Sequence, residues 1–454
     1  MKIYSMRGAS GLAVLILSGG AALAQQSGMP GQYSGPNVLS RWSRLPGGTN
    51  AAPTSLRVFL QTSYGYLGGL SGPVNNAPDR ASRSDSNNIL AGGGLAFTRS
   101  DRRSALTLGY QANYTYPITG SVSTYRGLNQ DLNLNYERTL TRRLGFYTGH
   151  SAGSQSSILG LQRPTSQRNF FDQSYSITNE ALDARMRFLN SGAGVYFRKT
   201  SRLVFSVDGG VFTVSRTSAA LVSSRGERAQ GEISYQTSKS QSIGLIYSFN
   251  HFYFQRGFGE TFTHSAMLSL SRRFAKVWIL QLAGGPYRAE SERLRTIAVD
   301  PYIAALTGQR STIEVFQGRQ VGVSGSISAS ATFRRSTFLT AYRRTVDPGN
   351  GVTLTAVNDL GQINYNFTAT RKWSTGFSFF GSRMSPLLSG LDRNSNFRSY
   401  GGFFNTGYKL GGRFYAIANV GLQSIAYDQL NVSVIRRAAS VGLAFSPGDL
   451  PLFR

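Results

Sequence analysis

From Ser55 to Phe445 the chain repeats one pattern: segments of 9 to 13 residues in which apolar and polar positions alternate, separated by polar connections. A period of two marks a β-strand with two unlike faces. In Ser104 to Tyr116, Leu106, Leu108, Tyr110, Ala112, Tyr114 and Tyr116 fall on one face, and Thr107, Gly109, Gln111, Asn113 and Thr115 on the other. The same frame sets Leu56, Val58, Leu60, Thr62, Tyr64 and Tyr66 against Arg57, Gln61, Ser63 and Gly65, with Phe59 the exception. It recurs where Val321, Val323, Ile327 and Phe333 oppose Ser324, Ser326, Ser328 and Thr332, where Leu132, Leu134 and Tyr136 oppose Asp131, Asn133, Asn135 and Glu137, and where Ile363, Tyr365 and Phe367 oppose Gln362, Asn364 and Asn366. The second face is hydroxyl, amide and glycine, seldom a hydrocarbon core.

Two architectures use such strands: a sandwich with its apolar faces inward, or a membrane barrel with its apolar faces outward. Strand length separates them, since sandwich strands average about 5 to 6 residues and a tilted bilayer-crossing strand needs roughly 9 to 11. Most segments here are of the longer kind. Their connections alternate, with 8 short basic turns interleaved with 9 longer loops, which predicts 18 strands, 16 being the nearest alternative. Alternating short turns and long loops is the pattern of transmembrane barrels. The longer loops are placed at Gly153 to Arg185, Ser215 to Ala229, Tyr287 to Gly318 and Val346 to Leu354, among others. Lys199, Lys239, Lys276, Lys372 and Lys409 all fall at or beside short turns. Trp278 and Trp373 follow such turns, while Tyr64, Tyr66, Tyr114, Tyr116 and Tyr253 lie near the opposite strand ends, an arrangement expected of aromatic girdles.

Residues 1–24 have the form of a secretory signal: Lys2 and Arg7, an apolar core from Gly11 to Gly20, and Ala22-Leu23-Ala24 before Gln25. That core is too short to span a bilayer as a helix. Residues 25–54, rich in Gly, Ser, Pro and Gln, are expected to be a flexible lead-in, residues 55–446 the barrel, and residues 447–454 a tail. Composition narrows the chemistry. With no cysteine there is no disulfide, thiolate zinc site or iron–sulfur cluster, and His150, His251 and His264 show no helical metal-ligand spacing. No cofactor is expected. The net charge of +27 could suggest nucleic acid, but no groove-reading module is visible and an exported barrel has little access to it. Only six of the 48 basic residues are lysine, so the charge is mainly arginine, suited to lipid phosphates and anionic polysaccharide.

On these features the chain resembles bacterial outer-membrane β-barrel proteins, and in size and layout it is most similar to porins of 16 to 18 strands. The resemblance covers Ser55 to Phe445 and rests on the strand pattern and the signal; Val441, Leu443 and Phe445 form the last outward face, and Phe453 is only penultimate. It implies a location in the cell outer membrane, a water-filled lumen, contacts with lipid and lipopolysaccharide, assembly by the barrel machinery, an oligomer as one option, and passage of small hydrophilic solutes. In porins the third long loop folds inward as a constriction. Here that loop carries Arg163, Arg168, Asp172, Glu180, Asp183 and Arg185, which makes them candidate selectivity residues.

Other functions fit less well. A lipid-hydrolysing barrel needs His and Ser on one strand face, whereas His150-Ser151 and His264-Ser265 are adjacent and face opposite ways. A plugged transporter has no room for its plug in the 30 residues from Gln25 to Thr54. A barrel for polysaccharide export, or a structural surface-binding barrel, is the remaining alternative. Gly92-Gly93-Gly94 leads into strand, so it is small lumen-facing or bulge residues rather than a phosphate loop.

Overall fold

The computed structural model describes residues 55–71, 83–101, 103–119, 127–156, 185–218, 221–255, 259–275, 277–309, 311–370, 372–387, 396–427, 432–447 and 449–451. The expected signal and lead-in therefore lie outside the described residues. Alternation yields strand throughout: β1 (Ser55–Ser71), β2 (Arg83–Ser100), β3 (Ser104–Thr119), β4 (Gly127–Thr139), β5 (Leu144–Ser156), β6 (Arg185–Arg198), β7 (Leu203–Arg216), β8 (Ser224–Ser238) and β9 (Gln241–Phe254). The second half continues with β10 (Gly259–Phe274), β11 (Trp278–Ala298), β12 (Ser311–Thr332), β13 (Ser336–Asp347), β14 (Ala356–Thr368), β15 (Trp373–Pro386), β16 (Phe397–Gly411), β17 (Phe414–Tyr427), β18 (Val432–Phe445) and the short β19 (Asp449–Pro451). Among the described residues there is one helix, α1 (Pro301–Thr307), which caps the β11–β12 hairpin.

Each strand pairs antiparallel with its sequence neighbours, and β1 also pairs with β18, from Leu60↔Phe445 to Gly68↔Arg437. The sheet closes into a cylinder with all eight short connections at one rim, the turn end, and all nine longer ones at the other, the loop end. The 18 long strands match the count expected from the alternation. Three boundaries differ most. β8 begins at Ser224, not beyond Ala229; β11 and β12, 21 and 22 residues long, take in most of the stretch expected as a loop from Tyr287 to Gly318; and the expected tail contributes β19, whose Leu450 pairs with Leu56. The hydrophobic alternation weakens in all three stretches, and a polar outward face above a membrane resembles a loop in sequence.

The two faces behave as the alternation requires. Outward Val207 and Val441 are 60% and 67% exposed, whereas inward Thr115 and Asn129 are 0% and 1% exposed. Inside, aromatic rings lie on glycines directly across the ladder: Phe59 on Gly94, Tyr196 on Gly145, Tyr147 on Gly194 and Tyr287 on Gly322. A Cβ at Gly322 would sit 2.7 Å from the Tyr287 ring, so glycine supplies the space the ring occupies. Phe59, the exception in its strand, is one of these inward rings.

Candidate functional site

The interior is built from inward positions that are predominantly polar. Asn113, Asn129, Ser151, Asn190, Gln230, Ser234 and Gln423 are buried there, with charges set among them. Asp208 accepts a hydrogen bond from the Tyr147 hydroxyl at 3.3 Å and lies 3.9 Å from Arg228. The inner face, expected from sequence to be seldom hydrocarbon, does carry an apolar cluster near the loop end. Phe212, Val214, Phe252, Phe254, Tyr287 and Ala289 form an apolar cluster inside the cylinder, joined by Val346 and Val357.

That cluster exists because one connection turns inward. Residues 348–355, between β13 and β14, are buried or half-buried along their whole length. The turn is self-contained: Asn350 N–H donates to Thr353 O at 3.1 Å, and Asn350 Oδ1 accepts from Thr353 N–H at 3.0 Å. Gly349 holds φ 71°, and a Cβ there would meet Thr353 O at 1.7 Å, so only glycine fits. From this turn, contacts run to widely separated strands. Thr355 Oγ1 lies 2.8 Å from Thr261 Oγ1 of β10, Arg293 Nη2 of β11 donates to Thr355 O at 3.2 Å, and Asn350 Nδ2 donates to the Tyr427 hydroxyl of β17. Val222 N–H, in the β7–β8 connection, donates to Gly351 O at 3.0 Å, and Arg216 Nη1 of β7 donates to Val222 O at 2.7 Å. Since β7 and β17 are ten strands apart in a cylinder of 18, the turn crosses the lumen at its loop end.

Electrostatics at this crossing favour positive charge. Among the described residues, Arg216, Arg293 and Arg343 are buried around it, with the carboxylate of Asp347 beside Arg343. Arg343 lies 3.4 Å from Asp347, whose other partners are Asn358 Nδ2 at 2.8 Å and Thr345 Oγ1 at 3.0 Å.

The residues expected from sequence to form a constriction fare differently. Arg163, Arg168, Asp172, Glu180 and Asp183 lie outside the described residues. Arg185 is the first residue of β6, not part of a loop, and its Nη1 donates to Leu128 O at 2.9 Å. Gly153, placed by expectation in the same loop, is within β5. The crossing at residues 348–355 was not singled out from sequence. Pro348-Gly349-Asn350-Gly351 is a strong turn signal, but turn chemistry does not say whether a loop leans in or out.

The aromatic positions lie outward. Tyr64, Tyr114 and Tyr116 are exposed and Tyr66 half-buried toward the loop end of β1 and β3; the Tyr253 ring lies tilted against His251 near the loop end of β9. Trp373 opens β15 at the turn end, its indole N–H donating to Thr406 Oγ1 at 2.8 Å, and Trp278 opens β11 against Phe333 and Phe338.

The histidines also point outward. His150 does not meet Ser151; the β5–β6 register brings it opposite Ser191, with Nδ1 2.7 Å from Ser191 Oγ and Nε2 2.8 Å from Thr148 Oγ1, which donates to Gly192 O. This Ser–His–Thr relay was missed from sequence because its members come from different strands. It sits at the middle of β5 and gives each ring nitrogen a partner. His251 Nε2 lies 2.9 Å from Glu260 Oε2, and His264 Nδ1 lies 2.8 Å from the Tyr247 hydroxyl. Among the described residues no group of His, Asp and Glu is placed to hold a metal ion.

A closed cylinder with an apolar outer wall and a polar interior satisfies its backbone without water outside, which open sheets cannot do in lipid. The chain folds as a closed antiparallel β-barrel with the two-faced wall that a membrane-spanning barrel requires. No family model and no curated protein matches the sequence. Among solved structures, the barrel is similar to OccK2 (OpdF) of Pseudomonas aeruginosa at 12% identity and a TM-score of 0.40, over 86% of this chain and 98% of that one. A BenF-like porin from Pseudomonas fluorescens gives 12% identity and 0.40 over 87% and 98%, and OccAB1 of Acinetobacter baumannii gives 11% and 0.39 over 90% and 100%.

Proposed function

We propose that the barrel is a passive channel for small hydrophilic solutes, narrowed by residues 348–355 and favouring anions. The observation that carries this reading is the turn seated across a polar lumen, held directly by Arg293 and, through Val222, by Arg216. A cylinder of 18 strands is too wide for its own wall side chains to fill, so an inward loop is what sets the passage. Buried arginines aimed at that level attract anions and raise the cost of cation entry. In this reading the turn end faces the periplasm and the outward aromatics form the two interfacial girdles, with lipid and lipopolysaccharide around the wall and the barrel assembly machinery as the route of insertion.

Planar-bilayer recording tests it directly. Refolded protein is expected to give discrete conductance steps, with a reversal potential on the anion side in a KCl gradient. The double substitution Arg216→Gln/Arg293→Gln should move that potential toward cations. Absence of steps, or an unchanged reversal potential in the variant, contradicts the channel and the selectivity respectively.

A further inference from the structure

The wall is not equally closed all round. β11 and β12 pair along their whole length, from Trp278↔Ala331 to Ala298↔Ser311, whereas β12 and β13 pair only from Thr332↔Thr337 to Gly325↔Arg344. Above Gly325, β13 continues with β14 for three more rungs and leans into the lumen. Val346 and Val357, on the outward side of that hairpin, pack against Tyr287 and Ala289, which line the inner wall of β11. Among the described residues, the edge of β12 from Ser311 to Ser324 therefore has no strand beside it.

Part of this edge lies at hydrocarbon depth. Gly325 is seven residues above Thr332, which for a strand tilted about 40° is about 18 Å, below the top of an apolar band roughly 25 Å tall. The outward side chains agree: Val323 and Val321 are exposed and apolar, and charge begins only at Arg319, level with Glu290. Backbone N–H and C=O groups at that depth need partners, and an open edge is tolerated in the bilayer only where it borders a polar cavity.

The outer wall beside the seam is also distinct. In the row at its foot, Arg344, Asp359, Arg383 and Arg398 are register partners on four successive strands, all pointing outward. Asp359 lies 3.4 Å from Arg344 and accepts from the Tyr342 hydroxyl at 2.6 Å, so the row holds three guanidinium groups against one carboxylate. One step toward the turn end, Tyr342, Gly361, Gly381 and Tyr400 are partners, and the two glycines floor a groove of about 730 Å³ walled by Ile363, Phe379 and Leu422.

We infer that the β12–β13 seam is a lateral portal joining the lumen to the outer leaflet, and that it admits a single-chain anionic amphiphile of the fatty-carboxylate type. The carboxylate is held in the arginine row, where guanidinium groups bind it in paired fashion; the tail lies in the glycine-floored groove. This route is separate from axial conduction and does not depend on it.

The test uses the absence of native cysteine. Ser324→Cys and Ser328→Cys place a thiol at inward positions of matched burial, 5% and 6% exposed, the first beside the open edge and the second where the ladder is closed. In liposomes, membrane-confined N-dodecylmaleimide is expected to label Ser324→Cys at least about tenfold faster than Ser328→Cys, because a closed ladder bars lipid from the lumen. Dodecanoate should slow that labelling, dodecanol should not, and Arg344→Gln should weaken the protection by dodecanoate. Equal labelling at the two positions overturns the portal. Equal protection by dodecanoate and dodecanol overturns the anionic assignment. KCl conductance of both cysteine variants, recorded alongside, reports folding and the axial channel separately.

Discussion

At the scale of single residues, the interior is organised by a trade between aromatic and glycine. Where a ring lies inward, the residue across the ladder is often glycine, and the ring takes the volume a side chain would have filled. Gly322→Ala should push Tyr287 off its seat and destabilise the barrel by about 1–3 kcal/mol, the usual cost of overpacking. Gly231→Ala, where a Cβ would meet nothing within 4 Å, should be neutral to about 0.5 kcal/mol. Urea unfolding from lipid vesicles separates the two. On the opposite face the penalty changes character: Val441→Arg places a charge against lipid on β18 and should cost about 2–4 kcal/mol, whereas Ser440→Ala, one residue away and inward, should leave the unfolding midpoint nearly unchanged.

At the scale of elements, the inward turn is the part whose behaviour bears most on conduction. Gly349→Ala forces a Cβ into the carbonyl of Thr353 and strains a positive φ by about 1–3 kcal/mol. Single-channel conductance is expected to rise and to become noisier as the turn leaves its seat, while the melting of the barrel shifts little. Asn350→Ala, which removes the bond to Tyr427 and both bonds to the turn backbone, should act in the same direction. Strands were legible from sequence because lipid on one side and polar groups on the other impose alternation on every rung. Tyr114 beside Thr115 already announces which way each points. The inward turn was not legible, since Val352 and Leu354 look the same in sequence whether they pack on the inner wall or cover a surface loop. The β11–β12 extension was misread as a loop for a related reason: above the membrane Arg288, Glu290 and Glu292 occupy the outward positions, and the apolar half of the alternation disappears.

At the scale of the whole molecule, hydropathy and architecture are reconciled by closure. A mean hydropathy of −0.20 fits a wall that is apolar on one face only, and among the described residues no helix is long and apolar enough to cross a membrane. Among the described residues, arginine stands at short turns, as Arg142 and Arg202 do, in the outward row of Arg344, Arg383 and Arg398, and around the inward turn, which are three different uses of it.

The seam between β1 and β18 has one further consequence. The edge that hides the backbone of β1 comes from the last strand, and β19 then extends the same edge over Ser55 to Arg57. A chain cut short anywhere before β18 keeps two bare edges, each a template for other strands and neither tolerable in lipid. Closure of β1 therefore waits on β18, the last of the long strands in chain order.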